Sequence, residues 1–205
     1  MIPARNALQR LQDGNRRFVT NLGRERSLQA LGLTQEQLPF AIVLGCSDAR
    51  VPAEIVFDQG LGELFVIRVA GNVVAPSQVG SVEFAASRFG TRLVVVLGHS
   101  QCGAVLATIE ELQQPTEQQS LNLRSIVDRV RPSVEPLLHT ELRHDPQRLV
   151  HEAVRANVSA AVNHLRHGSA ILENLIRDGG LRVVGAEYSL ETGRVEFFDV
   201  EPGWA

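Results

Sequence analysis

Cys46, Asp48 and Arg50 occupy alternate positions in LGCSDARVPAE (residues 44–54), and the only other cysteine, Cys102, follows His99 by three residues in GHSQCGA (98–104). Two thiolates and an imidazole are the soft and borderline ligands that select zinc in tetrahedral geometry. Three protein ligands leave a fourth position open, where bound water becomes a hydroxide nucleophile near neutral pH. The same residues fit other chemistry: two cysteines packed as small hydrophobes, a Cys46–Cys102 disulfide, or a cysteine nucleophile activated by His99. Asp48 can coordinate the metal itself, filling the open position, or turn away and pair with Arg50, which keeps the carboxylate ionised. Paired, it can accept a proton from metal-bound water or hold the resulting hydroxide, with Arg50 fixing its orientation. The plainer alternative for Asp48 is a cap on a helix entered through Pro52.

Such residues need a frame that brings positions 46 and 99–102 together. AIVLG (41–45), LFVIRVA (64–70) and RLVVVLG (92–98) are apolar at nearly every residue and rich in β-branched side chains, as strands buried on both faces should be. Helical spacing over Pro52–Phe57, Val79–Phe89 and Cys102–Leu112 alternates with them, giving β-α-β-α-β-α and a mostly parallel sheet flanked by helices. In such a sheet ligands bind beyond the carboxyl ends of the strands, where both cysteines fall.

Ala7, Leu8, Leu11 and Phe18 mark an amphipathic N-terminal helix, and Gln35 to Leu38 closes a weaker helical or loop segment, so residues 1–36 are expected to form an arm on a single domain spanning 1–205. Helices are expected over about 121–138 and 147–178, followed by a strand and an edge strand joined by a turn at Glu191-Thr192-Gly193. The remaining histidines, His139, His144, His151, His164 and His167, lie in polar segments without a nearby cysteine and read as surface residues.

Composition limits the partners. With 205 residues, 44% hydrophobic, the chain can bury a real core, and a net charge of −3 with no basic cluster gives no footprint for nucleic acid or an anionic membrane. No apolar stretch approaches the roughly 18 residues of a spanning helix, and the N-terminus lacks a signal-peptide core. A cytoplasmic location follows, where two cysteines are more often free, catalytic or metal-bound than bridged.

Cys46-Ser47-Asp48-Ala49-Arg50 with His99-Ser100-Gln101-Cys102-Gly103 resembles the signature of the β-class carbonic anhydrases. The similarity runs from about Gln37 to Ala107 through Val51-Pro52-Ala53-Glu54, FDQGLGELFVIRVAGN (57–72) and Gly80-Ser81-Val82-Glu83-Phe84. Leu-x-x-Gly-Asn-x-x-Phe (11–18) and Gly185-Ala186-Glu187-Tyr188 extend it weakly over most of the chain.

The resemblance implies reversible hydration of CO2 to bicarbonate and a proton, one zinc per chain held by Cys46, His99 and Cys102, and Asp48–Arg50 as the working dyad. It further implies a homodimer, or a tetramer of such dimers, with Gln37, Phe65, Val69 and Phe84 lining a largely apolar CO2 pocket at a subunit interface. The Gly103 N–H would meet a substrate oxygen there. Trp, Arg and Tyr surround a non-catalytic bicarbonate site in a regulated subset of the family. Arg68 and Tyr188 match two of these, but Val43 stands at the Trp position. A zinc hydrolase of COS or CS2 and a zinc- or redox-sensing regulator are the alternatives, and the latter has no use for Asp48 and Arg50.

Overall fold

The computed structural model of the chain describes residues 2–20, 37–115 and 120–200. Among the described residues, five strands, β1 (Ala41–Gly45), β2 (Leu64–Arg68), β3 (Leu93–His99), β4 (Arg182–Tyr188) and β5 (Val195–Phe198), form one sheet in the order β2-β1-β3-β4-β5. The first four are parallel and β5 runs antiparallel to β4, its neighbour through the expected turn. Every residue of β1 and β3 is buried. Alternation sorts their side chains, Ile42, Leu44, Val94 and Val96 to one apolar layer and Val43, Val95 and Leu97 to the other. β2 departs from the doubly buried expectation: as an edge strand it buries only Leu64 and Ile67, and it stops at Arg68.

Each of the first three strands leads into a helix: α2 (Ala53–Val56) after β1, α3 (Pro76–Arg88) after β2 and α4 (Gly103–Gln113) after β3. Because the chain passes from β1 to β2 on one side and returns to β3 on the other, the connections diverge between β1 and β3. A crevice opens at the carboxyl ends of strands at such a point. Helix α5 (Leu121–Leu138) follows. The helical stretch expected over 147–178 is two helices, α6 (Pro146–His167) and α7 (Ala170–Asp178). They part at Gly168 and Ser169, and the Ser169 hydroxyl accepts the Leu172 N–H as the N-cap of α7. None of the helices among the described residues is long and apolar enough to cross a membrane.

Helix α1 (Ala4–Thr20) lays Ala4, Ala7, Leu8 and Leu11 on its own chain's apolar layer, beside Val43, Phe57 and Val95. The expected limit of the arm at residue 36 lies outside the described residues. Contact between α1 and the loop after α2 is close because Gly14 permits it: a Cβ there would sit 1.7 Å from the Phe57 carbonyl oxygen. Next to it, the buried Asn15 carboxamide donates to the Val56 and Gly193 carbonyls and accepts the Val195 N–H. Gly14→Ala is therefore expected to push α1 off the sheet and cost about 3 kcal/mol, read as a lowered midpoint in thermal or urea unfolding.

Candidate metal centre

Strand β1 ends at Gly45 and delivers Cys46; β3, hydrogen-bonded beside it, ends on His99, and after a two-residue turn Cys102 stands as N-cap of α4. Their ligand atoms all lie within 4.8 Å of one another, and the three residues are 6%, 0% and 1% exposed. Both thiols are free, which removes the disulfide alternative. A zinc tetrahedron with arms of about 2.0–2.3 Å has edges of about 3.3–3.8 Å, which this spacing accommodates.

The histidine is set for ligation. His99 Nδ1 lies 2.9 Å from the Ser100 carbonyl oxygen, so that nitrogen carries the hydrogen, and Nε2, fully buried, has no hydrogen-bond partner. A buried orphaned nitrogen costs stability unless something binds it, and a metal ion does. Together the donor set and this orphaned nitrogen fit zinc.

The electrostatics agree. The hydrogen bond from Cys102 holds Cys46 as thiolate and lowers its pKa to about 4 against the opposing effect of burial, helped by His99 and the Gly71 N–H. That same bond, with burial, pushes the Cys102 thiol up. Burial works against a charged His99, but the neighbouring Cys46 thiolate outweighs it and draws the imidazole pKa upward. The pocket thus gathers negative charge at sulfur and holds protons where a divalent cation would replace them.

Asp48 turns toward Arg50 in a two-pronged pair: Arg50 Nε donates to Oδ1 at 2.9 Å and Nη2 to Oδ2 at 2.7 Å, and the Arg50 backbone N–H adds a third bond to Oδ1 at 3.0 Å. This pairing holds the carboxyl well below the usual carboxylate range. Asp48 Oδ2 nevertheless lies 3.9 Å from His99 Nε2, at the edge of the point where the three ligands converge. It caps no helix: the N-cap of α2 is Pro52, without a side-chain bond.

Several supports escaped the sequence reading. Arg68 donates from Nε to the Cys46 carbonyl at 3.0 Å and from Nη2 to the Asp48 carbonyl at 2.5 Å, which fixes the loop between ligand and dyad. The Gly71 N–H points at Cys46 Sγ at 3.3 Å, and the buried Asn157 of α6 holds the Gly71 carbonyl at 2.8 Å. The signal was the Gly-Asn pair closing IRVAGN, since Gly71 sits at φ +68° with room for no side chain: a Cβ would meet the Ala104 Cβ at 2.9 Å. Gly71→Ala is expected to cost about 1–3 kcal/mol in unfolding and to speed loss of zinc to a chelator, because the N–H aimed at Cys46 moves with the backbone.

The expected substrate positions divide. Gly103 opens onto free space at the start of α4, and Val69 directly follows β2, its N–H bonded to the Gly45 carbonyl next to Cys46. Phe65 pairs with Ile42, four residues before Cys46, about 13 Å down the strand. There it clusters with Phe84 and Phe89 at ring separations of 5.6–6.2 Å beside the sheet edge. Gln37 is exposed ahead of β1, at the opposite end of the strands from the ligands. Within one chain, therefore, Gln37, Phe65 and Phe84 do not meet the ligands. All five remaining histidines are exposed, as expected. Val43 is fully buried in the apolar layer beneath the sheet.

A family model described as carbonic anhydrase matches residues 41–195. Carbonic anhydrase 2 of Mycobacterium tuberculosis is 39% identical over 192 residues, covering 92% of this chain and 90% of the relative. A carbonic anhydrase of Mycolicibacterium smegmatis is 42% identical over 192 residues, covering 91% and 89%. Among solved structures, the β-carbonic anhydrase CafA of Aspergillus fumigatus superposes with a TM-score of 0.72 at 26% identity, over 81% of this chain and 78% of that one. The Coccomyxa β-carbonic anhydrase in complex with acetazolamide gives 0.72 at 26% identity, over 93% and 86%.

Proposed function

The chain belongs to the carbonic anhydrase family, in its β class, and from that premise we propose how its residues carry out the reaction. The enzyme catalyses the zinc-dependent reversible hydration of carbon dioxide to bicarbonate and a proton. Cys46, His99 and Cys102 hold one zinc per chain, and the observation that supports this is the convergence of their three ligand atoms around an otherwise unpartnered His99 Nε2. When bound there, zinc supplies a Lewis acid that makes water nucleophilic near neutral pH. Asp48, both of whose oxygens Arg50 holds, would accept a hydrogen bond from water beside the three ligand atoms and orient it. The Gly103 N–H, at the start of α4, binds a substrate oxygen, and Val69 gives the pocket an apolar wall that suits CO2. The named relatives are carbonic anhydrases, so hydrolysis of COS or CS2 is not favoured.

Gln37, Phe65 and Phe84 complete the pocket of a second copy. Supporting this, Leu38, Leu61, Ile55 and Phe84 are 79%, 53%, 50% and 53% exposed, apolar surface that a second copy would cover. Light scattering at micromolar concentration should give a multiple of the 22.4 kDa chain, dimer or tetramer. A fully active monomer would rule out the shared pocket. Because α1 covers its own chain's core, removing residues 1–20 should unfold the protein rather than merely separate the copies. Two free thiols suit a reducing cytoplasm. The decisive test of the reaction is zinc content measured beside stopped-flow hydration of CO2, with COS as the competing substrate; a zinc-loaded protein that turns over COS but not CO2 would overturn it.

A further inference from the structure

Gln101 stands between His99 and Cys102 with φ +56°, in the left-handed region that a residue with a side chain holds only when its surroundings fix it there. What fixes it comes from far along the chain. Glu191, in the turn between β4 and β5, accepts from Gln101 Nε2 on Oε1 at 2.7 Å and from Ser100 Oγ on Oε2 at 2.9 Å. The Ser100 hydroxyl in turn accepts the Leu190 N–H at 3.0 Å, and the Ser100 N–H donates to the Tyr188 carbonyl at 2.9 Å. From its other side the same turn is pinned by Asn15 of α1, which donates to the Gly193 carbonyl and accepts the Val195 N–H, both at 2.9 Å. Both residues linking two of the ligands are thus gripped by one exposed carboxylate that the hydration chemistry does not use.

We infer that Glu191 is a positioning residue for the metal: its two-armed grip keeps the Ser100–Gln101 turn in the shape that lets His99 Nε2 and Cys102 Sγ meet Cys46 at one point. The inference rests on the reading of those three residues as zinc ligands. Only two residues separate His99 from Cys102, so a change of one backbone region at Gln101 redirects Cys102 and the first turn of α4 relative to the imidazole. Without Glu191 the Gln101 side chain loses the bond that anchors it, the Tyr188 and Leu190 bonds hold only Ser100, and the turn relaxes at Gln101. A three-point site then has to rebuild its geometry each time it binds, and it releases zinc faster.

The experiment measures zinc loss to an excess of a chromophoric chelator from the wild type, Glu191→Ala, Glu191→Gln and the double variant Glu191→Ala with Gln101→Gly. The sulfur-to-metal absorption band of the cobalt(II)-substituted proteins is recorded alongside. Glu191→Ala should release zinc about 10–100-fold faster and shift the cobalt band, while its unfolding temperature stays near that of the wild type. Glu191→Gln, which keeps one acceptor oxygen, should fall between. Adding Gln101→Gly should restore slow release, because glycine adopts φ near +56° without strain and needs no grip. Wild-type release with an unchanged cobalt band in Glu191→Ala would overturn the inference, as would a loosened site that Gln101→Gly leaves loose. A wild-type protein that takes up no zinc would instead overturn the ligand reading beneath it.

Discussion

Cys46→Ser, His99→Ala and Cys102→Ser should each purify with little zinc and hydrate CO2 no faster than buffer. The size of the effect follows from the number of arms. Structural zinc sites with four ligands bind with roughly 10–16 kcal/mol, about 3 kcal/mol per ligand, so removing one of three weakens binding on the order of 100-fold or more. Serine replaces sulfur with a hydroxyl that stays protonated and is a poor zinc ligand. His99→Ala has a second cost, since it leaves a gap at a fully buried position at the end of β3. For that reason the cysteine variants are the cleaner test. Their folds should survive, because each replaces a side chain of nearly the same volume. Zinc content by atomic emission and CO2 hydration by stopped flow, on the same preparations, check both consequences. Full occupancy in any two of the three variants would mean that the metal sits elsewhere.

The sequence made the centre of this site legible and left its frame hidden, for a physical reason. Ligands to one ion must be particular residue types at particular spacings, so Cys46 and the His99–Cys102 pair stood out at the ends of two β-branched runs. The runs themselves were legible because β1 and β3 are buried on both faces and need no polar alternation. The edge position of β2 was not, since LFVIR is as apolar as its neighbours and only the strand order exposes it. Supports acting through backbone atoms leave even less trace. Arg68 grips two carbonyls and Gly71 offers an N–H: the Gly-Asn pair marks a turn, but neither residue's type says which carbonyl or which sulfur it reaches. Glu191 sits 90 residues from the turn it holds, and only the fold brings the two together. The disulfide and capping alternatives for Cys46 and Asp48 were open for the same reason: spacing fixes which groups are near, and only geometry fixes which way they turn.

Arg50→Ala should lower CO2 hydration by about 10–100-fold while the protein keeps its zinc. In the structure Asp48 has two claims on it. Arg50 holds both carboxylate oxygens, at 2.9 and 2.7 Å, and Oδ2 stands 3.9 Å from His99 Nε2, one of the three atoms that would hold the zinc. Without the guanidinium, the Arg50 backbone N–H remains on Oδ1 alone. One such bond does not stop a carboxylate from turning toward a cation, and an Asp48 that becomes the fourth ligand occupies the place water needs. The variant should therefore release zinc to a chelator more slowly than the wild type, since a fourth protein ligand must also be detached. Slower reaction together with tighter metal is a signature that lost folding or a distorted site would not give, because either would loosen the metal. Arg50→Lys should fall between, its ammonium reaching one oxygen where the guanidinium reaches two. Asp48→Asn with Arg50→Ala separates closure from lost orientation: its carboxamide is a weak zinc ligand, so release should return to the wild-type rate while hydration stays slow for want of the carboxylate. If Arg50→Ala hydrates CO2 at the wild-type rate with zinc in place, the pair serves only the loop that carries it.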